Sequence, residues 1–295
     1  LIANYPYISC FDRTGWGELF SSPLCPGKDE TLEFCKKLYS EIFTMFPFEY
    51  FHIGADEVDQ TDWTKCPDCV KRMSDHGLGS PSQLQSWFVK EMADFFTANG
   101  KKLIGWDEIA EDTMPENSAI TWWRTWAPKK LSRAAMQNKE RIMCPNVYSY
   151  LDYEEDNKSL EKAYNFDPAS YIHDNMELIK GVQANLWTEW IPSFNRVGYK
   201  LFPRLFALSE AGWNGSDKKE YDDFYRRVLN NFERLDALGI SYRMPSPEGF
   251  HEVNVFTDRA VIDFKYPIRG AVIRYTTDGT IPGPESTLYD GELTI

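Results

Sequence analysis

The sequence is dominated by an alternation of helical and strand-like segments that begins at residue 29. Residues 29–46 carry apolar side chains at helical spacing, and residues 80–100 do the same behind a Ser-Pro start and before a final glycine. Further helices are predicted over 128–138, 197–212 and 218–238. Short apolar runs between the helices predict strands over 49–53, 101–106, 118–123, 141–145 and 181–187. Strands joined by helices predict βαβ units and a parallel sheet.

The predicted strands are followed by polar or aromatic residues. The carboxyl ends of parallel strands lie at one edge of a sheet, and in a (β/α)8 TIM barrel that edge carries the active site. Five strands cannot close such a barrel, so either the sheet is open or the first three βα units are absent from this sequence. An open doubly wound sheet normally has a Gly-rich phosphate loop, and none is present. We therefore predict strands 4 to 8 of a barrel. The strand-end residues are Asp56 and Glu57, Trp106 to Glu108, Trp123 and Arg124, Tyr150 and Asp152, and Trp187 and Glu189.

The composition changes near residue 243. The segment MPSPEG (244–249) reads as a linker because of its prolines and glycine. Beyond it, VNVFT, AVIDF and AVIRYTTDGT read as strands and turns without helices. We predict two domains, the C-terminal part of the barrel over 1–243 and the start of a small β-sandwich-like domain over 244–295.

Charge and aromatic content narrow the function. The net charge of -13 argues against nucleic acid or an anionic membrane as partner. No run of 18 apolar residues is present, so we predict no membrane span. Aromatic residues make up 15% of the chain, with 10 Trp and 16 Tyr. This content indicates either a large aromatic core or a sugar-binding site, because flat rings pack well on the C–H faces of pyranoses.

The six cysteines contain one CxxC pair, Cys66 and Cys69. A zinc site needs four ligands, and no second CxxC or HxxxH is present to supply the other two. We therefore expect loop cysteines or a local disulfide at this position, and no metal.

The adjacent acids Asp56 and Glu57 follow a buried strand in the stretch FHIGADEV. Two carboxylates in an aromatic pocket suggest glycoside hydrolysis. Neighbouring acids cannot flank a sugar from both sides, as the usual scheme requires. They suit a scheme in which the substrate supplies its own nucleophile, such as a 2-acetamido carbonyl. One acid would then hold the acetamide while the other protonates the leaving oxygen.

Several motifs together resemble glycoside hydrolase family 20, the β-N-acetylhexosaminidases. HIGADEV is similar to the family motif HIGGDE, with Ala55 where the family usually has glycine. The others follow in the family's order: LCPGKDET, KLIGWDEI, WWR, YSYLDY, GVQANLWTEWI and LFPRLFALSEAGW. The resemblance implies a barrel enzyme that removes terminal β-linked N-acetylglucosamine or N-acetylgalactosamine through an oxazolinium intermediate. It further implies amino-sugar glycans as partners, no cofactor, export from the cell, and a β-domain after the barrel.

The resemblance also assigns roles to polar residues. Glu57 corresponds to the general acid/base, and Asp56 to the residue that orients the acetamide N–H and stabilises the oxazolinium. Tyr150 corresponds to the phenol that hydrogen-bonds the acetamide carbonyl. Asp152 and Glu189 correspond to acids that hold sugar hydroxyls. The family's arginine for sugar hydroxyls and its histidine in a PGH-like motif have no counterpart in this sequence.

Three tryptophans correspond to the walls of the acetamide pocket and the platform under the sugar ring, namely Trp106, Trp123 and Trp187. Trp122 is a rival of Trp123, because the two are adjacent and only one can face inward.

Two other functions stay open at this point. One is a noncatalytic glycan-binding protein that keeps the aromatic platform. The other is a metal-dependent hydrolase with His52, Asp56 and Asp59 as ligands.

Overall fold

The computed structural model describes residues 1–14, 23–111, 113–155, 159–214, 220–251, 253, 255–266, 268 and 270–295. The chain divides into two compact units. The first comprises Leu1–Tyr150, Asn165–Asn185 and Leu208–Lys218, and the second comprises Leu151–Tyr164, Leu186–Ala207 and Lys219–Ile295.

The first unit contains a five-stranded parallel sheet whose strands lie in chain order. Phe51 pairs with Leu103, and Leu103 pairs in turn with Ser118. The second and third strands are buried almost throughout, as expected of central parallel strands covered on both faces. The predicted parallel α/β sheet is confirmed. The strands are β1 (Tyr50–His52), β2 (Lys102–Trp106), β3 (Ser118–Trp122), β4 (Glu140–Met143) and β5 (Ile179–Val182).

Three helices of the first unit follow the predicted spans, and two short ones, Pro67–Asp75 and Asn146–Ser149, were not predicted. These helices are α1 (Asp29–Met45), α2 (Pro67–Asp75), α3 (Pro81–Ala98), α4 (Pro128–Met136) and α5 (Asn146–Ser149). The start of α3 is fixed by Ser80, whose Oγ accepts the Gln83 N–H at 3.3 Å, and by Pro81 in the first turn. Helix α3 packs against β2, and α4 packs against β3 and β4.

Short 3₁₀ helices and four further α-helices complete the helical elements among the described residues. The 3₁₀ helices are Pro6–Ile8, Cys10–Asp12, Asp62–Thr64, Asp107–Ile109, Pro168–Tyr171 and Met176–Leu178. The α-helices are α6 (Ser159–Tyr164), α7 (Phe194–Leu201), α8 (Arg204–Asn214) and α9 (Tyr221–Ala237). Within the part of the chain that the structure covers, no helix combines the length and apolar character needed to cross a bilayer.

Two predicted elements have different bounds in the structure. The strand predicted over 181–187 runs from Ile179 to Val182 instead, and its pairing with β4 shifts register between Arg141 and Ile142. The helix predicted over 197–212 is two helices, because Pro203 has no N–H to continue α7.

The second unit has its own apolar core, in which α6 packs against α9. Tyr164 stacks on Phe224 with ring centroids 4.4 Å apart, and Phe232 stacks on Tyr242 at 4.2 Å. The core also includes Ala163, Ala207, Val228 and Leu235.

The C-terminal residues form two small antiparallel sheets. β6 (Val261–Ile262) pairs with β9 (Leu293–Thr294), and β7 (Arg274–Tyr275) pairs with β8 (Thr287–Leu288). The predicted strand VNVFT includes Asn254, which lies outside the described residues, and its remaining residues are not in a strand. The domain division at residue 244 stays a prediction.

Candidate active site

The acid pair lies on a tight turn after β1. We call residues 54–61 the acid loop. Gly54 and Ala55 both have φ +73°, and Glu57 has φ +47°. Side chains rarely adopt this left-handed region, and such strain concentrates at functional sites. The turn breaks the strand's alternation, so Asp56 and Glu57 need not point to opposite faces of the sheet.

Neighbouring elements hold the acid loop in place. The Trp106 N–H of β2 donates to the Gly54 carbonyl at 2.9 Å. From α3, Gln85 Nε2 donates to the Ala55 carbonyl at 3.0 Å, and Gln85 Oε1 accepts from Gln60 Nε2 at 2.8 Å. The loop is therefore fixed near both of its ends by α3 and at its start by β2.

An aromatic cluster lies at the carboxyl ends of the next three strands. Trp106, Trp123 and Tyr150 are each 8% exposed and pack together with the buried Cys144. Trp123 and Tyr150 are stacked, with centroids 5.9 Å apart and planes at 10°. Trp106 meets Trp123 edge-on at 6.4 Å. The structure thus brings together three of the predicted site residues.

The choice between the two adjacent tryptophans is settled by strand register. Trp122 is the last residue of β3, is fully buried, and packs against Tyr171 at 4.8 Å. Trp123 therefore faces the aromatic cluster, and Trp122 does not.

Two further aromatic residues extend this surface. Trp126, which is 63% exposed, lies edge-on against Trp123 at 5.1 Å. The His52 ring is 5.0 Å from Trp106. The sequence reasoning did not single out Trp126, although a third tryptophan in WWRTW is a signal that could have found it.

Two more carboxylates lie next to the cluster. Asp107 is fully buried and accepts hydrogen bonds from Arg124 Nε and Nη2 at 2.9 and 2.8 Å. Glu108 Oε2 accepts from the Trp123 indole N–H at 3.2 Å. Burial, reinforced by the charge of Asp107, raises the pKa of Glu108 from 4.5 to about 7. Sequence reasoning assigned Glu108 no role, although GWDE repeats the strand-plus-acid-pair pattern of HIGADE.

The acids Asp56 and Glu57 are exposed in this chain. Asp56 lines a cavity of about 380 Å³ whose walls are mostly apolar and include Leu38 of α1 and Phe88 of α3. Among the described residues that line this cavity, none belongs to the aromatic cluster. The acid loop and the cluster share one edge of the sheet, but Asp56 opens onto a neighbouring space.

The remaining predicted residues belong to the second unit. Asp152 is partly buried, and its Oδ1 has no hydrogen-bond partner among the residues that the structure describes. Trp187 and Glu189 are exposed. Their participation in the site stays a prediction.

The metal-hydrolase alternative finds no support in the geometry. Within the described ranges, the residues close enough to share an ion are four cysteines, and His52, Asp56 and Asp59 form no such group. Of the two alternatives expected for Cys66 and Cys69, the local disulfide is wrong, because none of the six cysteines, all of which the structure describes, forms a disulfide. The cysteines that lie beside Cys66 and Cys69 are Cys10 and Cys25. Both are far away in the sequence, so the spacing of the CxxC pair could not reveal them.

Comparison with known proteins agrees with the sequence resemblance. Residues 2–216 match the family described as "Glycosyl hydrolase family 20, catalytic domain". A β-hexosaminidase of Porphyromonas gingivalis is 36% identical over 98% of this chain, and the human β-hexosaminidase subunit beta is 26% identical over 79%. The chain spans 39% and 42% of those two proteins.

Solved structures are similar as well. The β-N-acetylhexosaminidase of Bacteroides fragilis superposes with a TM-score of 0.71 at 30% identity, covering 82% of this chain and 51% of the other. The exo-β-N-acetylglucosaminidase of Vibrio harveyi, solved with N-acetylglucosamine, gives 0.70 at 29% identity, covering 78% and 38%.

The backbone of the acid loop generates a stability prediction. The left-handed backbone conformation of Ala55 costs about 1–2 kcal/mol, and a glycine at this position would remove that cost. Part of the gain is lost because glycine makes the unfolded chain more flexible. We expect Ala55→Gly to raise the free energy of unfolding by roughly 0.5–1 kcal/mol in urea denaturation. The control Ala98→Gly, at the exposed end of α3, should lower it by a similar amount. Equal losses in both variants would contradict the strained turn.

The pKa of Glu108 generates a pH prediction. Between pH 4.5 and about 7 the unfolded chain ionises this group while the folded protein keeps it protonated. The contribution of Glu108 to the free energy of unfolding is therefore most favourable below pH 4.5. It is lost as the pH rises toward 7. Glu108→Gln should remove a destabilisation on the order of 3 kcal/mol at neutral pH, because raising the pKa of this group from 4.5 to about 7 costs about 1.4 kcal/mol for each pKa unit. Melting temperatures measured from pH 4 to 8 check this, with the exposed Glu33→Gln as control. The same pH dependence of the melting temperature in wild type and Glu108→Gln would refute it.

Proposed function

Because this chain belongs to glycosyl hydrolase family 20, we propose that the protein containing it is a β-N-acetylhexosaminidase. It removes terminal non-reducing β-linked N-acetylglucosamine or N-acetylgalactosamine from glycans. The observation that carries this proposal is the acid pair Asp56-Glu57 on a strained turn, beside an aromatic cluster at the same edge of a parallel sheet. The β-hexosaminidases among its relatives support it.

The proposed mechanism uses the substrate's acetamide as nucleophile. Acids on adjacent residues of one turn cannot take opposite sides of a sugar ring, as the ordinary two-carboxylate schemes require. Glu57 protonates the leaving oxygen while the acetamide oxygen attacks the anomeric carbon, breaking the glycosidic bond and closing an oxazolinium ring. Asp56 accepts the acetamide N–H and stabilises the positive charge. Glu57 then takes a proton from the water that reopens the ring with retained configuration.

The aromatic cluster is proposed to hold the acetamide and the sugar face. Trp106 and Trp123 supply walls, and the Tyr150 hydroxyl donates to the acetamide carbonyl. The stack of Trp123 on Tyr150 fixes the direction of that phenol. We assign Trp187 to the ring platform and Asp152 and Glu189 to the sugar hydroxyls by family resemblance.

We also propose that β1–β5 are strands 4 to 8 of a (β/α)8 barrel, followed by the start of a β-sandwich-like domain. The parallel order and the placement of the site at the carboxyl edge support the barrel. Export to the periplasm, cell surface or medium is part of the proposal and rests on the family alone. Fractionation of the producing cells would test it.

The first functional prediction concerns acid catalysis. Glu57→Gln removes the proton donor, so hydrolysis of a substrate with a poor leaving group should fall by roughly 10²–10⁴-fold in the full-length protein. A dinitrophenyl glycoside, which leaves without protonation, should be much less affected. The ratio of kcat values on the two substrates measures the effect.

Two results would contradict this assignment. Equal losses on both substrates would remove Glu57 from the acid role. A wild type that binds N-acetylglucosamine but does not turn over its nitrophenyl glycoside would favour the noncatalytic glycan-binding protein.

The second functional prediction concerns the acetamide. A thiazoline analogue of the cyclised intermediate should bind far more tightly than N-acetylglucosamine, because it resembles the charged species. Asp56→Ala and Tyr150→Phe should each weaken this preference, by about tenfold or more if the lost contact involves a charge. Inhibition constants for both ligands provide the measurement. A covalent sugar ester trapped on Asp56 or Glu57 would rule out the mechanism.

A further inference from the structure

Four cysteines from distant parts of the first unit converge on one point. Cys10 lies in a 3₁₀ helix near the chain start, Cys25 precedes a turn, and Cys66 and Cys69 flank the first turn of α2. Each is at most 3% exposed, and the four sulfurs all lie within 4.8 Å of one another. We call these residues the cysteine cluster.

The sulfur separations distinguish between two kinds of cysteine group. A disulfide needs its sulfurs about 2.05 Å apart. Four thiolates at about 2.3 Å from one tetrahedral ion stand about 3.8 Å from each other. The measured separations are 3.7 Å for Cys10–Cys69, 3.7 Å for Cys25–Cys66 and 3.4 Å for Cys25–Cys69. The cluster has the dimensions of a tetrahedral metal site.

We propose that Cys10, Cys25, Cys66 and Cys69 bind one structural Zn²⁺ ion. Soft thiolates select zinc and exclude magnesium and calcium, which prefer oxygen ligands. Four protein ligands leave no position open for water or substrate, so the ion has a structural role and takes no part in sugar hydrolysis.

The backbone around the cluster places the cysteine side chains so that they can act as ligands. Cys66 is the residue before α2, and Cys69 lies in its first turn, where the free N–H groups of the helix favour a thiolate. The start of α2 therefore places two of the four sulfur ligands.

Gly27 allows the segment that carries Cys25 to lie close to α2, which carries Cys69. A Cβ at this position would lie 2.3 Å from the Asp68 carbonyl carbon and 2.3 Å from the Cys69 nitrogen. The backbone around Cys25 can therefore approach α2 this closely only because residue 27 is glycine.

Apolar side chains seal the cluster from water. Trp63 and Leu84 are buried against it, and the Trp63 indole N–H donates to the Leu24 carbonyl at 3.0 Å. On the chain segment next to Cys25, Lys28 Nζ donates to the Ser9 carbonyl at 2.9 Å. Its positive charge lies close enough to offset part of the double negative charge of a zinc tetrathiolate.

Part of the cluster lies close to the acid loop in sequence, so a bound ion would also affect that loop. Cys66 lies nine positions after Glu57, and Trp63, between them, packs on the cluster. The ion would tie the segment that follows the acid loop to Cys10 and Cys25. Loss of zinc should therefore loosen the turn that carries Asp56 and Glu57.

Elemental analysis of the full-length protein tests the proposal directly. Protein produced with zinc in the medium and dialysed against metal-free buffer should retain one Zn²⁺ per chain. Cys10→Ser and Cys66→Ser should each lower zinc content by roughly tenfold or more and lower the melting temperature. The matched control Cys35→Ala removes a buried thiol of α1 outside the cluster and should keep the ion.

A second measurement covers variants that fail to fold. Wild-type protein in which Co²⁺ replaces zinc should show the visible absorption bands of tetrahedral cobalt thiolate, and Cys69→His should keep metal with a shifted spectrum. Zinc-free wild type, a mass that reports two disulfides, iron in place of zinc, or unchanged zinc in Cys10→Ser and Cys66→Ser would each overturn the site. A zinc-loaded but inactive protein would leave the site standing and contradict only the proposed function.

Discussion

In a parallel sheet every strand reaches the same edge with its carboxyl end, and this constraint places the candidate site. The acid loop follows β1, and the aromatic cluster follows β2, β3 and β4. Residues separated by almost a hundred positions in sequence, such as Glu57 and Tyr150, thereby come to one edge of the sheet. The burial of β2 and β3 on both faces keeps that edge rigid, so the side chains beyond it are positioned by packed structure.

The acid loop has a strained backbone, and contacts with neighbouring elements hold it in that conformation. Left-handed Ala55 and Glu57 would relax if the turn were free. Hydrogen bonds from β2 and from Gln85 of α3 hold its start, Gln85 also accepts from Gln60 near its end, and the segment beyond it leads into the cysteine cluster. A metal at that cluster would add a further anchor beyond the end of the loop and so help to keep the strained backbone at Glu57 in one geometry.

Much of the fold followed from local sequence signals, and the failures have physical causes. Ser80, Pro81 and the apolar spacing of α3 specify that helix by themselves, and the runs before Trp106 and Trp123 identify β2 and β3. The single helix predicted over 197–212 overlooked Pro203, which interrupts the ladder. Which of Trp122 and Trp123 faces the cluster depends on register, which no single strand reveals. The pairing of Cys10 and Cys25 with Cys66 and Cys69 depends on tertiary contacts across more than forty residues, so no spacing rule could predict it.

The central claim is that the acid loop and the aromatic cluster act on one sugar. A crystal structure of the full-length protein with bound N-acetylglucosamine tests it most directly. We predict that the acetamide lies between Trp106, Trp123 and Tyr150, with Asp56 accepting its N–H and Glu57 within hydrogen-bond distance of the anomeric oxygen. A sugar bound in the apolar cavity between α1 and α3, or on the aromatic cluster with both acids out of reach, would contradict it.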